Sequence, residues 1–257
     1  MKKIIYFILY CILFLSVKST SAQVEIDSSF RTAMNNVFAN VDKTRVPYGI
    51  LRDYAMEFTN LENFSGNATL ADSNYAGPAI LWDVYNTLLM GRINTGAAGF
   101  LKQDTLDARW LSYRQPGRIT LSGLFFNYSR FRDNAANNYI TVSGNQLFDK
   151  FVGGVWQNPY QSETVFVISP SITIYSALSF NILLPSALWM TNNSAAVSSI
   201  SIDAGDGLGY RTLTPDISLP VNYSSAGDKE WIYRITLSAG GFLYAHTRVT
   251  ITGNPAT

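Results

Sequence analysis

The sequence predicts an α+β fold, with a helical/α+β N-terminal domain followed by an all-β sandwich. Three observations predict it. Apolar residues recur at helical spacing between residues 27 and 95. Two-residue alternation replaces that spacing toward the C-terminus. The first 22 of the 257 residues read as a secretory signal, leaving 235, enough for one large or two modest domains.

The signal has three parts. Lys2 and Lys3 form a positive start, Ile4 to Leu15 an apolar run, and Ser19-Thr20-Ser21-Ala22 the small residues that cleavage needs. The run is shorter than the roughly 18 apolar residues that span a bilayer. Cys11 is the only cysteine and leaves with the signal, so disulfides cannot hold the mature chain together. That suits a bacterial exported protein. The sequons at Asn63, Asn67, Asn127, Asn192 and Asn222 then read as chance in an Asn-rich chain.

In order along the mature chain, Phe30, Met34, Val37, Phe38 and Val41 mark a first helix, with Asp27 or Ser28 as N-cap. Pro47 opens a second, whose stripe is Ile50, Leu51, Tyr54, Ala55 and Phe58. Residues 60–74 are rich in Asn, Ser and Gly and read as a loop. Pro78 opens a third helix, with Ile80, Leu81, Val84, Tyr85, Leu88 and Leu89 on one side and Gly91 at its end.

Residues 119–128 read as a strand, residues 139–142 and 146–148 as a hairpin about Ser143-Gly144-Asn145, and residues 163–168 as another strand. Residues 133–138 read as a polar loop. This middle region is expected to form a small sheet against the helices, completing a first domain over 23–164.

Strands are expected at 172–175, 178–184, 198–203, 218–223, 231–237 and 242–251. In the last two, Trp231, Tyr233, Ile235 and Leu237 and then Leu243, Ala245, Thr247, Val249 and Ile251 alternate with the residues between them, about the turn Ser238-Ala239-Gly240-Gly241. About seven short strands in roughly 90 residues argue for a sandwich over 165–254, with 255–257 a tail or linker start.

Ser201-Ile202-Asp203-Ala204-Gly205-Asp206-Gly207 resembles the Gly-Asp-Gly turn of polycystic-kidney-disease-type (PKD-like) domains, and Val221-Asn222-Tyr223-Ser224-Ser225-Ala226-Gly227 resembles their later Tyr/Gly element. Ile202 stands where the family usually has Trp, and Ala204 where it has Phe. The resemblance implies an immunoglobulin-like sandwich, found in exported or surface proteins as a non-catalytic spacer or binding module. Val46-Pro47-Tyr48-Gly49-Ile50-Leu51, followed by Asp53-Tyr54, is similar to the N-terminal part of large secreted proteins of Bacteroidetes-type bacteria, which implies no activity.

Charged residues and aromatics each make up 14% of the chain, a composition of extracellular β-rich proteins rather than of disorder. Without the signal, 16 basic face 18 acidic side chains, a net −2. No basic patch points to nucleic acid, and no span remains after signal removal.

Few residues suggest chemistry, and no catalytic residue is assigned. His246 is the sole histidine, and without a Gly-x-Ser-x-Gly elbow it reads as a surface or edge-strand residue. Asp53/Glu57 and Asp104/Asp107 are carboxylate pairs, the first one helical turn apart, and read as solvated faces. Asp203 and Asp206 frame a Gly-rich turn and are weak candidate calcium ligands. They lack the alternate carboxylates and downstream Glu of a calcium loop, and the structural reading is that they accept backbone N–H groups while Gly205 and Gly207 supply positive φ. Trp156, in a Gly- and Pro-punctuated loop beside Tyr160, is the candidate binding residue, with Tyr160 as its partner.

The expectation is an exported, non-catalytic binding or scaffolding protein, its partner a protein or glycan at the cell surface. The alternative is the N-terminal accessory region of a larger secreted hydrolase, which residues 252–257, reading as a linker start, favour slightly.

Overall fold

In the computed structural model, residues 28–94 and 97–253 are described. The expected export signal over 1–22, the N-cap candidate Asp27 and the expected tail 255–257 lie outside them. Helices α1 (Ser28–Val37), α2 (Pro78–Met90) and α3 (Gln103–Ser112), with a short α4 (Ala135–Asn138), accompany fourteen strands. The fold is α+β.

The centre is β1 (Arg118–Phe131), paired antiparallel with β6 (Tyr160–Pro170) from Leu121↔Pro170 to Phe131↔Tyr160. The other edge of β1 takes β8 (Ser179–Leu183) and then β9 (Trp189–Thr191), both parallel, and β12 (Leu219–Asn222) pairs antiparallel with β8. A second sheet runs β11-β10-β13-β14-β7, from β11 (Arg211–Thr212) through β10 (Val197–Asp203), β13 (Gly227–Leu237) and β14 (Phe242–Ile251) to β7 (Ile174–Tyr175).

Alternation along β1 and β6 feeds two cores. Ile119, Leu121, Phe125, Phe166 and Ile168 face the second sheet, against Ile202, Trp231, Tyr233 and Val249. Leu124, Phe126, Tyr128, Val165 and Val167 face Leu81, Val84, Tyr85 and Leu88 of α2 and Leu106 and Trp110 of α3. A strand buried on both faces reads as a near-continuous apolar run, as residues 119–128 do. Gly123 is part of this arrangement: a Cβ there would stand 2.6 Å from the Trp189 ring on β9.

The expected domain boundary at 164/165 falls inside β6, and β1, expected in the first domain, supplies the central strand of the sheet facing the second. The middle region is not a small sheet of its own.

The expected second helix is also absent. Tyr48 has φ +62° and Gly49 +67°, and Ile50 and Leu51 are extended, bridging Arg92 and Ser129. Ile50 enters the α2 core, whereas Leu51 and Tyr54 enter a third core with Phe38, Phe131, Ile140 and Tyr160. Neighbouring residues pointing to opposite cores require extended backbone, which overrides the helical spacing. Helix α3 had no counterpart in the sequence reading, and the expected loop at 133–138 holds the one-turn α4.

The C-terminal strands follow their alternation. Trp231, Tyr233 and Ile235 are buried inward, and β13 and β14 pair from Gly227↔Ile251 to Thr236↔Phe242. The outward His246 is buried too, at 1% exposure, because loop 66–76 covers that edge of β14. Tyr244 N–H donates to Gly66 O, Ala76 N–H donates to His246 O, both at 2.9 Å, and the Tyr75 ring stacks on the imidazole.

Candidate binding surface

The Trp156 segment is a hairpin rather than a loop. β4 (Phe151–Val152) pairs with β5 (Val155–Trp156) about Gly153-Gly154. Those glycines have φ +57° and +79°, as a two-residue turn with both central residues left-handed requires. Phe-Val-Gly-Gly-Val-Trp carries that signature in the sequence, so the hairpin was legible there. A two-stranded ribbon of this size is marginal alone and needs outside support. Trp156 supplies it: the half-buried ring packs on the third core, and its indole N–H donates to Asp149 Oδ1 at 3.0 Å.

Arg45 completes the surface. Its guanidinium stands 5.0 Å from the Trp156 ring centre and 5.5 Å from that of Phe151, and Nε meets Asp42 Oδ2 at 2.9 Å. Hydrogen bonds from Thr44, and then Arg45, hold the Asp42 carboxyl below its ordinary range. Asp42 N–H donates to Asp149 Oδ2 at 2.7 Å, so one carboxylate orients both the indole and the turn carrying Arg45. Outside this frame lies an apolar tip: Phe151, Val152 and Val155 are 53%, 57% and 65% exposed. Three large apolar side chains on four strand residues depart from scattered surface hydrophobics.

Tyr160 does not join Trp156 at the surface, and its candidacy as a binding residue is corrected. It opens β6, is 2% exposed and stacks on Phe131. Burial, then the charge of Asp149, pushes its hydroxyl up.

The other candidates are engaged within the fold. Asp203 Oδ1 accepts from Gly205 N–H at 2.9 Å, and Asp206 Oδ1 from Leu208 N–H at 3.3 Å. Asp206 Oδ2 pairs with Arg211 at 2.5 Å, while Gly205 and Gly207 have φ +66° and +86°. Among the described residues no group of three His, Cys, Asp or Glu is placed to hold a metal ion. Asp53 is buried and accepts from Phe131 N–H at 2.7 Å, and Glu57 meets Arg52 at 3.4 Å. Burial raises the Asp53 pKa against that hydrogen bond. Asp104 and Asp107 are exposed on α3.

His246 has a richer environment than a surface histidine. Nδ1 lies 2.9 Å from Glu230 Oε1, and Nε2 meets Asn74 Oδ1. The Asn74 amide is oriented by Ala71 N–H on its oxygen and Thr69 O on its nitrogen. Tyr75 donates to Glu230 at 3.1 Å and accepts from Arg248 at 3.0 Å. The imidazole is thus spent on fastening a loop to a sheet edge.

No family model matches the chain, and no curated protein matches it. Among the described residues no helix is long and apolar enough to cross a membrane.

Proposed function

We propose that the mature chain is an exported, non-catalytic binding or scaffolding module of a bacterial cell envelope or secretome. In this reading its two facing sheets form a PKD-like, immunoglobulin-like sandwich, and the β4–β5 hairpin is its contact surface. The carrying observation is the apolar tip Phe151-Val152-Val155 held out on the Arg45–Trp156–Asp149 frame. Binding hot spots favour Trp and Arg beside desolvated apolar contacts, and this cluster supplies them prearranged.

The test is site-specific photo-crosslinking in the producing host, with the probe at Val155 and, as control, at exposed Leu111. One discrete adduct from Val155, absent from Leu111 and lost in Phe151→Asp at unchanged melting temperature, supports the reading. Identical products from both positions, or none from Val155, overturn it. Intact mass of the native protein addresses the alternative: a mass well above that of the 235-residue mature chain replaces this reading with an accessory region of a larger secreted hydrolase.

A further inference from the structure

The turn from α3 into β1 and the connection from β6 to β7 enclose a shallow depression of about 280 Å³. Its walls are Pro116, Ile172 and Tyr175, and its polar groups include Arg114, Arg118 and Ser171. No carboxylate lines it. That contrasts with Arg45, Arg52, Arg130 and Arg211, which all pair with Asp or Glu.

Arg114 is exposed and makes no ion pair with a described residue. Arg118 donates from Nη2 to Tyr113 O at 2.5 Å, but its Nε is buried without a partner among the described residues. A buried donor left unsatisfied is costly, and each such group calls for an explanation. Hydrogen bonds preform the walls. Tyr113 O also accepts from Thr120 Oγ1 at 2.8 Å, and Ser171 N–H donates to Thr120 O at 2.8 Å, tying the two sides together.

We propose that this depression binds a carboxylate carried on a ring of monosaccharide size, such as a uronate of an acidic glycan. Guanidinium groups pair with planar carboxylates through parallel N–H donors. The volume lies just below the range of drug-sized ligand pockets, roughly 300–1,000 Å³, as suits a single small ring. Pro116, Ile172 and Tyr175 offer the apolar wall that the ring face needs. A bare inorganic anion would leave that wall unused. The site shares no residue with the hairpin tip and does not depend on the reading of that surface.

The experiment is isothermal titration of the purified mature chain with trigalacturonate, with neutral galactotriose and with sodium sulfate. Trigalacturonate is expected to bind, and Arg114→Ala to weaken it by about tenfold or more, the size of a lost charge-assisted hydrogen bond. Arg114 makes no ion pair with a described residue, so the melting temperature of the variant should not move. No trigalacturonate binding, equal binding of galactotriose, equal binding of sulfate, or unchanged affinity in Arg114→Ala would each overturn the proposal.

Discussion

The phenolic hydroxyl of Tyr223 donates to the carbonyl oxygen of Ala204 at 2.5 Å. The Tyr223 hydroxyl oxygen in turn accepts from the Trp231 indole N–H at 2.7 Å. All three residues lie in the core between the sheets, so the hydroxyl satisfies two groups that water does not reach.

Tyr223→Phe is therefore expected to lower stability by about 1–3 kcal/mol, since both partners stay buried and unpaired. Urea unfolding at neutral pH measures it. Burial, opposed by the Trp231 hydrogen bond, pushes the Tyr223 hydroxyl from 10.0 up to about 12. A raised folded value means stabilisation that is whole below pH 10 and lost as pH rises from 10 toward 12. The variant should lack that part of the alkaline loss, and parallel curves for the two proteins would refute the assignment.

Glu230 governs the opposite end of the pH scale. The hydrogen bond from His246, against desolvation and with a second bond from Tyr75, holds its carboxyl below the ordinary 4.5. A depressed folded value contributes stability above pH 4.5 that is lost as pH falls through the folded pKa. Denaturation midpoints between about pH 6 and about pH 3 should fall less steeply in Glu230→Gln than in the parent. Equal slopes would show that the loop 66–76 fastening does not depend on this carboxylate.

Gly123→Ala should cost about 1–3 kcal/mol through overpacking against Trp189. Adding Trp189→Leu should return part of that loss, giving a coupling energy in a double-mutant cycle. Strict additivity would mean the β1–β9 approach is loose enough to absorb a methyl group.

Calcium is expected to leave the melting temperature unchanged, because Asp206 already serves Arg211 and Leu208 N–H. Asp206→Asn should instead destabilise by about 1–3 kcal/mol by weakening the Arg211 bond. A calcium-dependent rise in melting temperature would assign Asp203 and Asp206 a ligand.

Much of the fold was legible because period and burial agree locally. Pro78 opens α2 at its first turn as its chemistry predicts, Gly91 ends it although its φ of −71° is not that of a left-handed cap, and the alternation at 231–251 gives the β13–β14 hairpin with its inward face. What was not legible depends on distant partners. Ile50 and Leu51 have helical spacing, yet each is drawn to a different core. His246 lies on the outward face of β14, and only the position of loop 66–76 buries it. At the candidate site the loop expected around Trp156 is a two-stranded hairpin, signalled by Gly153-Gly154, whereas the neighbours of Tyr160 give no sign that β6 begins with it and buries it. Arg45 enters only through space, over a hundred residues from the ring it covers.

The fastening of loop 66–76 onto β14 also has a kinetic meaning. Asn74 and His246 are 172 residues apart in sequence, and β1 finds its partners in strands still unmade when it leaves the ribosome. Contacts of such long separation reward the chain only after large loops have closed, which slows folding. The earlier helices thus cannot complete their packing until the late strands arrive. Under the export proposed above, that delay is an asset: the order of synthesis itself helps to keep the nascent polypeptide open until it has crossed the membrane.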